Sequence, residues 1–195
     1  MFIDKSLTKS LYTRGLQCQK SLWLKSNNNS VLKQPDDSAL TVFSTGDKVG
    51  SLACELFPNG EQIKYDNTTR EERIALTKKW LNEGVKTIYE ATFEFDDVLV
   101  MVDILHKDTD GNYEIYEVKS STWNSTKKKV KDIYIQDASI QYYVLDGCGL
   151  NVSKTFVTLL NTDYVRGNEL DISQLFIHQD VTTEVKNLQS RISIR

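Results

Sequence analysis

The hydrophobic period of this chain changes at Gly84, and that change narrows the folds open to it. Before Gly84 apolar residues recur at three- and four-residue intervals; after it they alternate. Residues 69–82 open on Thr69, Arg70, Glu71 and Glu72, a cap followed by first-turn acids, and stop at Gly84, which predicts a helix. Residues 38–57 predict another, ended by Pro58, Asn59 and Gly60. Further upstream, Leu7, Leu11, Tyr12, Leu16, Leu22 and Trp23 lie at roughly helical spacing, with Lys9, Arg14, Lys20 and Lys25 on a solvated face. A polar loop follows, up to Pro35, Asp36 and Asp37. Beyond Gly84, residues 91–95, 98–107 and 113–121 read as strands, the last two joined by a hairpin turn at 108–112. A helix over 135–146, closed by Gly147 and Gly149, precedes strands at 155–160 and 175–178 and a terminal helix over 182–192.

Helices, then three strands, a helix and a further strand predict an α/β fold: a mixed β-sheet flanked by helices, with an N-terminal helical region. This is not the order of a doubly wound dinucleotide fold. Neither a Gly-x-Gly-x-x-Gly run nor a Gly-Lys-Ser/Thr phosphate loop is present, so the common nucleotide sites are unsupported. The 195 residues suit one domain, divided into 1–37 (helix and loop), 38–161 (core) and 162–195 (strand and helix). With 24 basic against 27 acidic residues the net charge is −3, which argues against a polyanion-binding surface all round and leaves room for a local basic patch. The absence of a signal-like start, of an apolar run of about 18–20 residues, and of any Cys-x-x-Cys pair among Cys18, Cys54 and Cys148 leads us to expect a reduced, cytoplasmic protein without membrane contact.

The chemically informative segment begins at Asp103, which interrupts the apolar strand 98–105, where a carboxylate is costly unless paired or bound to metal. Glu117 and Lys119, two apart on the next strand, leave the same face. Asp103 and Glu117 are equidistant from Asp110 at the centre of the turn, so they lie opposite or nearly so across the hairpin. Two acids and a lysine converging on one point of a sheet suit metal-assisted phosphodiester hydrolysis. Carboxylates hold Mg²⁺ or Mn²⁺, the ion acidifies water, and the lysine orients the nucleophile. A solvated acid–lysine pair is the plainer reading of Glu117 and Lys119 alone; Asp103 in its apolar strand is what favours a site.

At these residues the sequence resembles the PD-(D/E)XK nuclease superfamily, in particular the RecB-type branch that includes CRISPR-adaptation exonucleases. Asp103 matches the motif aspartate, and Glu117, Val118 and Lys119 match (D/E)-X-K. The resemblance implies a restriction-endonuclease-like sheet and a Mg²⁺- or Mn²⁺-dependent deoxyribonuclease, an exonuclease or DNA-end-processing enzyme. It implies metal ligation by Asp103, Glu117 and the Val118 carbonyl, with Glu90 as a further acidic ligand, and catalysis by Lys119. Its site helix carries Gln-x-x-x-Tyr; here Gln141 and Tyr143 supply the residue types at another spacing, about 200° apart on a helix. The motif proline is Val102, and Gly50 stands where the branch often has a metal-binding histidine, with Glu55 or Glu90 as substitutes. Cys18 matches the first cysteine of the iron–sulfur members, but no cysteine follows Cys148, so no cluster is expected.

Lys127, Lys128, Lys129 and Lys131, beside the motif strand, either grip DNA phosphates or form a solvated loop. Trp123 either stacks a base or is buried, and Tyr134, Tyr142 and Tyr143 are core or substrate contacts. His106 and His178 read as structural. DNA is the expected partner, with a helicase or integrase-type protein beside it. The rival function is a catalytically weak or inactive nucleic-acid-binding module of a larger DNA-processing complex.

Overall fold

The computed structural model describes residues 6–124, 126 and 129–192. In chain order these form β1 (Leu7–Thr8), α1 (Lys9–Gln17), α2 (Gln19–Asn27), a 3-10 turn, α3 (Asp37–Cys54), β2 (Glu61–Gln62), α4 (Arg70–Asn82), β3 (Thr87–Phe95), β4 (Val98–Lys107), β5 (Tyr113–Trp123), α5 (Asp132–Gly147), β6 (Val152–Asn161), α6 (Ile172–Leu175), β7 (Phe176–Asp180), α7 (Thr182–Leu188) and a closing 3-10 turn. The strands make one mixed sheet in the order β2-β3-β4-β5-β6-β7, with β1 added to β4 off that path. The β3–β4 and β4–β5 pairs are antiparallel, and β5 and β6 are parallel neighbours joined through α5.

Helices cover both faces. On one, Ile140, Val144 and Leu145 of α5 pack with Val98, Val100, Val102, Leu105 and Ile115. That core extends through Val157 and Leu159 to Val185 of α7. On the other, Val49 and Ala53 of α3 pack with Tyr89, Ile104, Tyr116 and Phe176. The expected α/β sheet flanked by helices, entered through a helical region, is therefore the architecture of the chain.

Local chemistry sets most boundaries. Thr69 and Glu72 form a reciprocal capping box at the start of α4, and Asp36 caps α3 through Ala39 N–H at 3.1 Å. In the 108–112 turn, Asp108 Oδ1 accepts from Asp110 N–H (2.9 Å) and Asn112 N–H (2.8 Å), and Gly111 supplies a φ of +87°. The single N-terminal helix expected from the apolar spacing is two. Cys18 adopts extended backbone between them, and the Arg14 guanidinium spans the bend to Ser21 Oγ at 2.8 Å. The turn closes tightly because Gly15 has no side chain: a Cβ there would stand 2.9 Å from Leu22 Cδ2.

The first strand after Gly84 begins at Thr87, four residues earlier than the alternation suggests, and Glu90 is the reason. Its φ of +57° is left-handed backbone inside a strand. The register of β3 and β4 is unbroken around it, Tyr89 facing Ile104 and Ala91 facing Val102, so Glu90 lies level with Asp103. The kink breaks the alternation: Ile88 and Ala91 share one core although they are three residues apart, while Tyr89 joins the other. An L-residue in this conformation costs about 1–2 kcal/mol, part of which glycine would return to the unfolded chain as freedom. Glu90→Gly is predicted to raise the unfolding free energy in urea titration by about 1 kcal/mol; a loss instead would mean that the Glu90 side chain outweighs the strain.

Candidate active site

The site forms where β4 and β5 part. Their ladder runs from Lys107 opposite Tyr113 to Ile104 opposite Tyr116, and one step further Asp103 would face Glu117. Past this point the flank of β4 not taken by β3 is paired instead with β1, through Val98 and Leu99. Asp103 stands at the fork. Its Oδ2 accepts the Val118 N–H at 2.7 Å, so the carboxylate replaces a main-chain partner across the widening gap.

Glu117 points from β5 towards α1 and α5 and is 1% exposed. Its carboxylate has three donors. Lys9 Nζ lies 3.1 Å from both oxygens, Lys119 Nζ lies 2.6 Å from Oε1, and Gln141 Nε2 donates to Oε2 at 2.6 Å. Lys119 also contacts the Asp137 carboxylate, on α5 one turn before Gln141. Lys9 reaches across to Asp103 Oδ1 at 3.8 Å. Asp103, Glu117, Lys119 and Gln141 come together, joined by Asp137, which the sequence did not single out, and by Lys9, which is turned into the site and not out to the solvated face expected for it. Tyr143 is not among them. Its hydroxyl donates to Asp96 Oδ2 at 3.0 Å and its ring meets Phe95 edge-on, at the tip of the β3–β4 hairpin.

Glu90 and Val118 border a cavity of about 370 Å³ that runs from Asp103 to Asp47 and Cys54 of α3. Gly46 and Gly50 line the same space, and a Cβ on either would meet nothing within 4 Å. This wall of the cavity is therefore open. Burial, with Glu90 and Asp103 beside it, lifts the Cys54 thiol to about 11, which keeps it a neutral thiol at neutral pH. Glu55 is exposed just beyond α3 and borders no part of this cavity.

Lys127 and Lys128 lie outside the described residues. Lys129 is exposed and pairs with Asp132 at 2.8 Å. Lys131 lies over the Tyr134 ring at 5.3 Å, Lys119 at 5.5 Å, and the Tyr134 hydroxyl reaches Ser121 at 3.1 Å, which ties that segment to the site strand. Trp123 packs partly buried against the α5–α7 core, as do Tyr134 and Tyr142. His106 bonds Thr87 and His178 bonds Thr158, each through Nδ1 at 2.8 Å, and both rings sit in an aromatic cluster with Phe57 and Tyr116. Cys18 and Cys148 are exposed thiols.

The donors suit a hard divalent ion, since carboxylates, a main-chain carbonyl and water are what Mg²⁺ and Mn²⁺ take. One buried atom also calls for a donor: Gln141 Oε1 has no hydrogen-bond partner, while its amide nitrogen is committed to Glu117 and to Asp137 O. Turning the amide over would press that oxygen against the carboxylate, so it stays free to accept from an ordered water. Against this, among the described residues no three His, Cys, Asp or Glu side chains gather closely enough to hold an ion, and Lys9 lies between the two motif acids. The residue types fit a hard divalent ion, and Lys9 occupies the place between them.

No protein-family model and no curated protein matches this chain. Among solved structures it overlaps with the crystal structure of SSO0001 at a TM-score of 0.44 and 11% identity, over 100% of this chain and 79% of that one. An overlap so loose bears neither on family nor on function.

Electrostatics divides the acids. Burial alone would lift Glu117, but Lys9 and Lys119 outweigh it and hold that carboxyl well below the usual range. Burial and the neighbouring Glu117 charge push Asp103 and Asp137 up to about 7. Unfolded, these two release their protons near pH 4, so the folded state binds more protons from about pH 4 to 7. The stability they contribute is complete below that window and is lost as pH rises through it; Glu117 acts oppositely, but only below about pH 4.5. Urea titrations of the metal-free protein are predicted to show stability falling from about pH 5 to 7.5, with Asp137→Asn flattening the slope. A slope unchanged by that substitution would remove Asp137 as its source.

Proposed function

We propose that this protein is a Mg²⁺- or Mn²⁺-dependent nuclease that hydrolyses DNA phosphodiester bonds, as an exonuclease or DNA-end-processing enzyme. One observation carries the reading: an Asp103–Glu117–Lys119 cluster around buried Glu117 at a fork in a mixed sheet, completed by Gln141, with Asp103 bordering a cavity. Asp103, Glu117, Glu90 and the Val118 carbonyl would hold the ion. When bound, it supplies acidified water and a polarised phosphate.

The chain's own groups do the rest. Lys119, kept protonated by Glu117 and Asp137, offsets charge on the scissile phosphate and orients the nucleophile. Gln141 Oε1 accepts from the attacking water while its amide nitrogen fixes Glu117. Attack on phosphorus, with the water's proton released to solvent, forms one P–O bond and breaks the opposite one, and the departing oxygen takes a proton from solvent. Lys131, which shares the Tyr134 ring with Lys119, and exposed Lys129 two residues before it would meet backbone phosphates, which is recognition by charge rather than by base. Selection among substrates would follow from DNA ends and geometry, and a helicase or integrase-type partner would present them. Among the described residues no helix is long and apolar enough to cross a membrane.

A second reading, a binding module with weak or lost catalysis, draws on Gly50 at the open wall and on Lys9 between the acids. End-labelled single- and double-stranded DNA incubated with the protein and Mg²⁺ or Mn²⁺ separates the two. Metal-dependent degradation that falls about 100-fold or more in both Asp103→Asn and Lys119→Ala is the predicted result. DNA that stays bound but intact with every variant would leave the binding module standing.

A further inference from the structure

Lys9 occupies a position that the proposed chemistry leaves unexplained. It is the first residue of α1, directly after the two-residue strand β1, whose pairing with Val98 and Leu99 aims the chain at the fork. Thr8 caps the helix through Leu11 N–H, which fixes the direction in which Lys9 leaves. Its side chain is only 21% exposed, and the ammonium touches both Glu117 oxygens and stands 3.8 Å from Asp103. No other cation of the described residues pairs with both of the motif acids.

Charge explains its presence. Asp103, Glu117 and Asp137 converge, the last two shut off from water and Asp103 beside the cavity, and Lys119 alone would answer only one of these charges. The support beneath Lys9 is light by comparison. No residue of α1 is fully buried, β1 is two residues long, and the bend at Cys18 separates α1 from α2. A firmly charged group is thus carried on an element with no fully buried residue of its own, held to the core through Leu7 and Tyr12.

We propose that Lys9 is a tethered counter-ion, holding Asp103 and Glu117 together when no divalent ion is bound and withdrawing with the start of α1 when one enters. The proposal rests on the metal-centred reading above. It makes the affinity for metal a competition between the ion and a lysine of the same chain, so that whatever holds α1 down sets how readily the site loads.

Mn²⁺ itself is the probe, its binding followed from the loss of free-ion electron paramagnetic resonance signal with full-length protein. Lys9→Met keeps the aliphatic arm and removes the competitor, and it is expected to tighten Mn²⁺ binding by roughly tenfold or more. Lys9→Arg keeps the charge and is expected to stay near wild type. A second readout needs no variant: acetylation of wild-type lysines, mapped by mass spectrometry, should find Lys9 protected without Mn²⁺ and modified like a surface lysine with it. Equal affinities for wild type and Lys9→Met, no Mn²⁺ binding by either, or a Lys9 protected alike in both conditions would overturn the proposal. If Lys9→Met fails to fold, the acetylation pattern decides. Tighter Mn²⁺ binding by Lys9→Met in a protein that leaves DNA intact would keep the counter-ion and discard the nuclease. A wild type that degrades DNA while Lys9→Met binds Mn²⁺ no better would do the reverse.

Discussion

A carboxylate with almost no access to water is the constraint around which this fold is arranged. Glu117 stays ionised because Lys9, Lys119 and Gln141 all reach it, from three different elements. A charge so placed gains little net stability from its partners, yet loss of one partner leaves the rest uncompensated and is strongly destabilising. The positions of α1, β5 and α5 are therefore tied to one another through a group that none of them could bury alone. Hydrophobic packing holds α5 on the sheet, with Ile140, Val144 and Leu145 against Val98, Val100 and Val102. The charged cluster then fixes which turn of α5 meets Lys119.

The fork between β4 and β5 solves a second problem. Asp103 interrupts an otherwise apolar strand, and in a continuous sheet it would cost several kcal/mol in lost solvation. Where the strands separate, its carboxylate instead accepts a main-chain N–H left over by the separation, and Val118 is satisfied by the same contact. Glu90, level with Asp103 on the opposite neighbour, meets the irregularity from the other side through left-handed backbone. Two breaks in regular pairing sit side by side, and the cavity opens beside both. Such local departures from sheet geometry are where side chains can be re-aimed without disturbing the packing above and below.

What could be read in the sequence follows the range of the interaction. The hairpin arithmetic works because a turn of known centre fixes which residues meet, so Asp103 and Glu117 were placed at one level from spacing alone. The 200° separation of Gln141 and Tyr143 correctly allowed only one of them to face the acids. Asp137 had a signal, since it lies one helical turn before Gln141 on a helix whose neighbouring positions are Ile135, Ala138 and Ile140. A buried acid at that spacing needs a cation, and Lys119 was already in view. Lys9 had none. Its place depends on a two-residue strand pairing with β4, too short to show alternation and separated from its partners by some ninety residues of chain. Glu90 is equally silent, because nothing in the residue type announces left-handed backbone.

The same long-range contact that the sequence hides is what gives the cluster its charge balance. Buried Glu117 and Asp137 and half-buried Asp103 face two ammonium groups, with Glu90 beside them, so the site carries more negative charge than it can answer within itself. It relieves the excess by holding protons on Asp103 and Asp137 more tightly than a solvated aspartate would. A divalent ion taking the place of Lys9 would add one positive charge and bring the count closer to neutrality with the carboxylates ionised. Proton, lysine and metal are thus alternative answers to one electrostatic deficit, and they compete. Lys119 differs from Lys9 in this respect: its second contact, to Asp137, lies away from the cavity on α5, so it can remain in place whichever cation stands between Asp103 and Glu117. That asymmetry assigns the two lysines different work although they touch the same carboxylate.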